Sequence, residues 1–356
     1  AITDEHTPLS ISATERNWRH VIHARNSVGG RFSALSLFGL VPAIYAGIDI
    51  ERVIETAKVM EIHCRGEETY ANPGAQLACF INDALHEGRD KLMLVFPKRF
   101  RSFGMWLEQL IAESLGKNGK GVVPIISCPE RVGDVMHDDQ CVFVMREDSD
   151  VELGIWSGKL EKVGPVKEVI ISKPYDIGAE FVRWEYAVAL LGFLMGVNPF
   201  DQPDVAASKE KTKALLAGEP YVAAPHAIDE LPALIKPREY LCLLSYLPRQ
   251  TASKQALTDI AIDLEKRFDV PAIIARGPRY LHSTGQLYKG GPNNGVFIII
   301  GDDNNACNIN LDNKDYSMGD LFNAQRKGDI MSLIERDRRV IIVHDLDELA
   351  AFAHAF

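Results

Sequence analysis

An alternation constrains this chain more than anything else in it. Eight short aliphatic runs fall at 91–96, 122–126, 141–145, 168–172, 240–247, 271–275, 296–300 and 339–343. Between them lie stretches with helical apolar spacing, at 32–46, 50–64, 73–87, 102–115, 177–195, 203–216, 251–267, 317–335 and 346–355. Strands that alternate with helices predict an α/β protein of parallel strands and crossover helices. The Pro- and Ala-rich stretch 215–239 breaks the rhythm and predicts a linker. The strand–helix–strand–loop–strand–helix–strand order after it predicts a split βαβ unit of ferredoxin-like layout.

A chain of 356 residues predicts two or three domains. Hydrophobic residues at 46% and charged residues at 25% are ordinary globular values and argue against disorder. The net charge of -10 argues against a nucleic-acid backbone as main partner, because phosphate binding needs a basic face. A small anion held by a few local cations stays open. The six cysteines (Cys64, Cys79, Cys128, Cys141, Cys242, Cys307) have no C-x-x-C spacing and read as reduced thiols. No run reaches membrane-spanning length and no secretory leader is present, which predicts the cytoplasm and no membrane partner.

Five stretches could carry chemistry. Gly29, Gly30, Arg31 and Ser33, in "SVGGRFSALS", could offer backbone amides, a cationic fork and a hydroxyl to an anion, or form a tight turn with a surface arginine. Gln109 and Glu113 are four apart on one predicted helix, and Glu113 near its carboxyl end suits a general base or belongs to a solvated pair. His137 lies in a polar loop among Asp134, Asp138 and Asp139, as an acid–base group or a surface turn histidine. Lys209 follows "NPFDQPDVAAS" on a helix that also carries Lys211 and Lys213, so it is a functional cation or one of a wet face. His282, Ser283 and Thr284 stand in a glycine-dense stretch without a G-x-S-x-G elbow, which disfavours hydrolase chemistry. His20 and His23 lack a nearby third metal ligand.

In this order the stretches resemble glucose-6-phosphate isomerase. "VGGRFSALSLFGL" looks like that family's Gly-Gly-Arg-[Phe/Tyr]-Ser signature, and "NPFDQPDVAASK" like its second signature. "QLIAESLGK" and "GDVMHDDQ" fall where the family carries its base and its histidine. The likeness is closest to the isomerase part of transaldolase/glucose-6-phosphate isomerase fusions, including "GPRYLHSTGQLYKGGPNNGVF".

The resemblance implies two sugar-isomerase (SIS) subdomains, a partial first at 1–68 and a complete second at 69–236, followed by a small α/β unit at 237–356. It implies an aldose–ketose isomerase acting through an enediolate, with Glu113 as base, Gln109 orienting the sugar, and Arg31 with the Gly29 and Gly30 amides meeting the negative charge. His137 and Lys209 would assist ring opening. No metal or organic cofactor is implied, and a histidine reaching a neighbouring site implies a homodimer. Two departures stand out: Asp204-Val205-Ala206 replaces the family's Gly-Val-Glu, and no Ser/Thr-rich phosphate loop precedes Gly29. The second departure predicts a piece that begins partway through the first subdomain. It leaves a non-catalytic phosphosugar-binding module as the alternative function.

Overall fold

The structure, a computed structural model, describes residues 1–127, 137–162, 164–247, 251–302, 309–312 and 314–355. Two short parallel strands, β1 (Ile2–Asp4) and β2 (Ile22–Ala24), flank helix α1 (Pro8–Glu15). Helices α2 (Leu37–Tyr45), α3 (Ile50–Cys64) and α4 (Pro73–His86) lead to the first main sheet. That sheet holds β3 (Lys91–Val95), β4 (Val123–Ser127), β5 (Gln140–Glu147) and β6 (Val166–Ile171), all parallel, in the order β4-β3-β5-β6. Helix α5 (Arg101–Leu115) joins β3 to β4, α6 (Val151–Leu160) joins β5 to β6, and α7 (Ile177–Met195) and α8 (Val205–Leu216) follow.

Local chemistry explains these elements. All five residues of β3 are buried, so an uninterrupted apolar run replaces the alternation of a half-exposed strand. Helix α4 starts where the Asn72 side chain accepts from the Ala75 amide and Pro73 occupies the first turn. Helix α7 stops at Gly196, whose φ of 67° is left-handed. Leu77, Leu92, Leu94, Leu107, Phe143 and Trp184 join α4, α5 and α7 to the sheet in one core.

The second main sheet contains β7 (Tyr240–Ser245), β8 (Ala272–Arg276), β9 (Gly295–Ile300) and β10 (Arg339–Val343). Helix α9 (Thr251–Phe268) joins β7 to β8, α10 (Gly285–Gly290) precedes β9, α11 (Met318–Ile334) joins β9 to β10, and α12 (Leu346–His354) closes the fold. The order β10-β9-β7-β8 is entirely parallel. This corrects the ferredoxin-like expectation. A split βαβ unit has antiparallel neighbours, whereas the connection from β8 through α10 is long enough to carry the chain back and enter β9 parallel to β7.

Two further expectations change. The helix expected over 32–46 is a three-residue turn, Gly30–Phe32, followed by α2, because the Ser36 hydroxyl caps a new start by accepting from Phe38 N. The expected linker is partly folded: His226 N donates to Val340 O, and Ile228 and Leu231 are buried against the second sheet. A third core joins Ala112 of α5 and Val123 of β4 to Tyr240, Leu287 and Phe297 of the second sheet's side. Cys128, Asp134 and Cys307 lie outside the described residues.

Candidate active site

Arg31 is buried and joins three parts of the chain. Its Nε donates to Ser114 Oγ on α5 at 2.8 Å, and Nη1 donates to Gln202 Oε1 at 2.8 Å. Nη2 donates to the carbonyls of Pro199 at 2.7 Å and Asp201 at 3.0 Å. The indole of Trp106, also on α5, donates to the Arg31 carbonyl at 2.9 Å. Four of the five guanidinium N–H groups are thus committed to protein acceptors. The sequence suggested a fork held out to an anion; the structure turns most of it inward.

Arg31 Nη1 also lies 3.7 Å from Glu113 Oε2, and Gln109 Nε2 donates to that same oxygen at 3.1 Å. The four-residue spacing on α5 therefore becomes a direct contact, and Glu113 is only 8% exposed. A carboxylate fixed between an amide donor and a cation is oriented before any ligand arrives. Burial lowers the Arg31 pKa from its usual value, while Glu113 and Asp201 oppose that shift.

Gly29 and Gly30 are exposed and border open space. Neither Gly29 nor Gly30 has a left-handed backbone, and a Cβ on either would meet nothing within 4 Å. The Ser33 hydroxyl donates to Gly30 O at 2.6 Å and closes the turn. Beside it, the Phe32 and Phe200 rings lie 5.2 Å apart.

The structure places His137 and Lys209 elsewhere. His137 Nδ1 is 3.4 Å from Asp269 Oδ1, at the joint with the second sheet. Asp138 pairs with Arg238 at 3.0 Å and Asp139 with buried Lys91 at 2.7 Å, so Asp269 meets the imidazole instead of the flanking aspartates expected from sequence. Lys209 is exposed on α8, whose Ser208 and Thr212 are buried against α11. Among the described residues, no hydrogen bond or ion pair joins His137 or Lys209 to Arg31, Gln109 or Glu113.

Several residues that the sequence did not single out converge here. Lys117 Nζ lies 2.9 Å from Asp201 Oδ1 and donates to Asn198 O. Gln286 Nε2 donates to Gly116 O at 2.9 Å and to Asp204 Oδ2 at 2.6 Å, and its Oε1 accepts from Asp204 N at 2.9 Å. Asp204 also pairs with Arg336. The departure at Asp204 thus has a use, because its side chain binds the second sheet's unit. Glu108, one residue before Gln109, is pushed from an ordinary 4.5 up to about 7 by burial, against the opposing pull of Ser283 and Arg279. Exposed His282 precedes Ser283, the residue that bonds Glu108. Helical spacing could not reveal these partners, because they lie far apart along the chain, 81 residues for Lys117 and Asn198 and 170 for Gly116 and Gln286.

Residues 15–131, which carry the glycine turn, Gln109, Glu113 and Lys117, match the phosphoglucose isomerase family. A probable glucose-6-phosphate isomerase of Methanococcus maripaludis is 31% identical over 231 residues, covering 54% of this chain and 52% of the relative. The glucose-6-phosphate isomerase of Citrifermentans bemidjiense is 31% identical over 258 residues, covering 61% and 48%. The chain spans about half the length of these relatives. A solved glucose-6-phosphate isomerase from Chlamydia trachomatis superposes with a TM-score of 0.51 at 18% identity, over 61% of this chain and 52% of that one, and shares its α/β fold. No helix of the described residues is long and apolar enough to cross a membrane.

Proposed function

We propose that this chain interconverts glucose 6-phosphate and fructose 6-phosphate through an enediolate, with Glu113 as the base. The observation that carries the reading is the buried Glu113 carboxylate, gripped by Gln109 Nε2 at 3.1 Å and faced by Arg31 at 3.7 Å. A proton between C1 and C2 needs one group that takes it and returns it, and a fixed carboxylate does both. The enediolate charge that appears meanwhile needs donors already in place. The Arg31 guanidinium, fixed by Ser114, Gln202 and the Pro199 and Asp201 carbonyls, supplies positive charge beside Glu113 for that oxygen.

Ring opening is assigned, by family resemblance, to His137 and Lys209. Neither touches Glu113 within one chain, so the assignment goes with a homodimer whose second copy completes the site. Exposed His282 adjoins Ser283, which bonds Glu108 of α5, and is the control for that assignment. The reading also carries the three-part division at 68/69 and 236/237 and a cytoplasmic address.

The test is a coupled assay of this chain with fructose 6-phosphate, in parallel with Glu113→Gln. Turnover by the unmodified chain that the variant lacks supports the reading. Equal turnover in both would remove Glu113 from its role. Calorimetric binding of fructose 6-phosphate without turnover would instead favour a phosphosugar-binding module.

A further inference from the structure

We propose that Lys117 is a positioning residue for this site: by holding the Asp201 carboxylate, it keeps Arg31 turned toward Glu113. The inference deepens the isomerase reading and rests on it.

The geometry has four charges and two competing pairings. Arg31 and Lys117 are the cations; Glu113 and Asp201 are the anions. The Lys117 side chain is 4% exposed, and its ammonium reaches Asp201 Oδ1 at 2.9 Å and the Asn198 carbonyl. The Asp201 side chain is 53% exposed, and its other oxygen accepts from Asn198 Nδ2 at 3.0 Å. The Asp201 main chain is already on Arg31, whose Nη2 donates to its carbonyl at 3.0 Å. The Asp201 carboxylate therefore sits within a side chain's length of the guanidinium, and only its hold on Lys117 and Asn198 directs it away.

Guanidinium–carboxylate pairs are favoured over looser ones because two N–H groups can meet two oxygens. An Asp201 released from Lys117 would take Arg31 Nη1, the atom that now faces Glu113 at 3.7 Å. Glu113 would then lose its cation while the fold around it stayed intact. Burial pulls the Lys117 pKa down and Asp201 pulls it back up, so the ammonium is held in place by the carboxylate it restrains. Asp201 is thereby given a role of its own in the "FDQ" stretch: it is the counter-charge that occupies Lys117.

The experiment compares Lys117→Met, Asp201→Asn and the double variant, by kinetics with fructose 6-phosphate and by crystallography. Lys117→Met should lower kcat on the order of 10- to 100-fold with KM within about twofold, as expected for misplacement of a reacting group. Adding Asp201→Asn should restore most of that loss, because the competing carboxylate is gone. A Lys117 that served only stability would give a double variant no better than the single one, and that result overturns the proposal.

The crystal structure of Lys117→Met should show Arg31 on the Asp201 carboxylate; an unmoved guanidinium overturns the proposal as well. If Lys117→Met does not fold, the neutral pair in the double variant provides the test, and it should be folded and close to the unmodified chain in kcat. Absence of turnover in the unmodified chain would sink the isomerase reading alone, and the crystallographic comparison would still decide the role of Lys117.

Discussion

The two main sheets have one topology and two uses. Each runs second strand, first, third, fourth, all parallel. In each, a long helix follows the first strand: α5 after β3, α9 after β7. Helix α9 packs Leu257, Ile260, Ala261 and Leu264 into the second sheet's core, its Glu265 accepts from the Ala272 amide at 3.0 Å, and its Asp263 meets His354 at the surface at 3.2 Å. Helix α5 also packs on its sheet, but its last turns are caught between the 198–202 loop and α10. That second set of neighbours, which anchors Arg31 beside Glu113, is what the proposed site has and α9 lacks among the described residues. Topology offers a place, and what packs across it decides whether chemistry follows.

The largest expected contrast is catalytic. Glu113→Gln should lower kcat about 10²- to 10⁴-fold, the range for losing a general base, while Asp263→Asn on α9 should leave it within twofold. A coupled assay of both variants decides this. Equal losses would break the comparison between the helices.

A second contrast concerns packing. A Cβ on Gly116 would sit 2.4 Å from Leu287 Cα, a backbone atom that cannot step aside, whereas one on Gly158 of α6 would meet nothing within 4 Å. Gly116→Ala should destabilise the fold by about 1–3 kcal/mol through overpacking. Gly158→Ala should stabilise it by about 0.5–1 kcal/mol through helix entropy. Urea denaturation midpoints measure both. A tolerated Gly116→Ala would mean that α10 can shift on α5 to make room for the added methyl.

Hydrogen bonding across the same joint gives a comparable effect. Gln286→Leu would strip partners from the Asp204 amide and the Gly116 carbonyl, at a cost of about 1–3 kcal/mol. Thermal unfolding would show it as a lowered Tm.

The smallest effect is a slope. Glu108 holds its proton more tightly folded, at about 7, than unfolded, at an ordinary 4.5. Its contribution to stability is therefore fully present below 4.5 and is lost as pH rises through 7. Buried Glu180 and half-buried Glu185 shift the same way, so Glu108→Gln should reduce the fall in stability across that window without removing it. Denaturation at a series of pH values reads the difference. An unchanged slope would mean that Glu108 is ionised against Ser283.

The sequence revealed whatever is periodic. Continuous apolar runs locate all eight strands of the main sheets, because runs of β-branched and aliphatic residues carry a signal that needs no partner. Spacing also placed Gln109 and Glu113 together. It could not show that Arg31 faces inward, because its acceptors, the Pro199 and Asp201 carbonyls, have no side-chain signature. Lys117 and Gln286 were missed for a related reason: each serves a contact that exists only after distant elements pack. The β1–β2 pair was too short to stand out, and α6, with Gly154 and Gly158 in ten residues, has a weak helical composition. Strand direction is hidden as well, so the order of elements reads as a split unit although the sheet is entirely parallel.

The core shared by Ala112, Val123, Tyr240 and Leu287 has a consequence for handling the protein. The exposed stretch at 217–222 invites a protease, and a single cut there would free the backbone between the two sheets. The halves would nonetheless co-elute from a sizing column, and denaturant would be needed to part them. A clone ending at that stretch would leave Ala112 of α5 and Val123 of β4 without the Tyr240 and Leu287 that cover them.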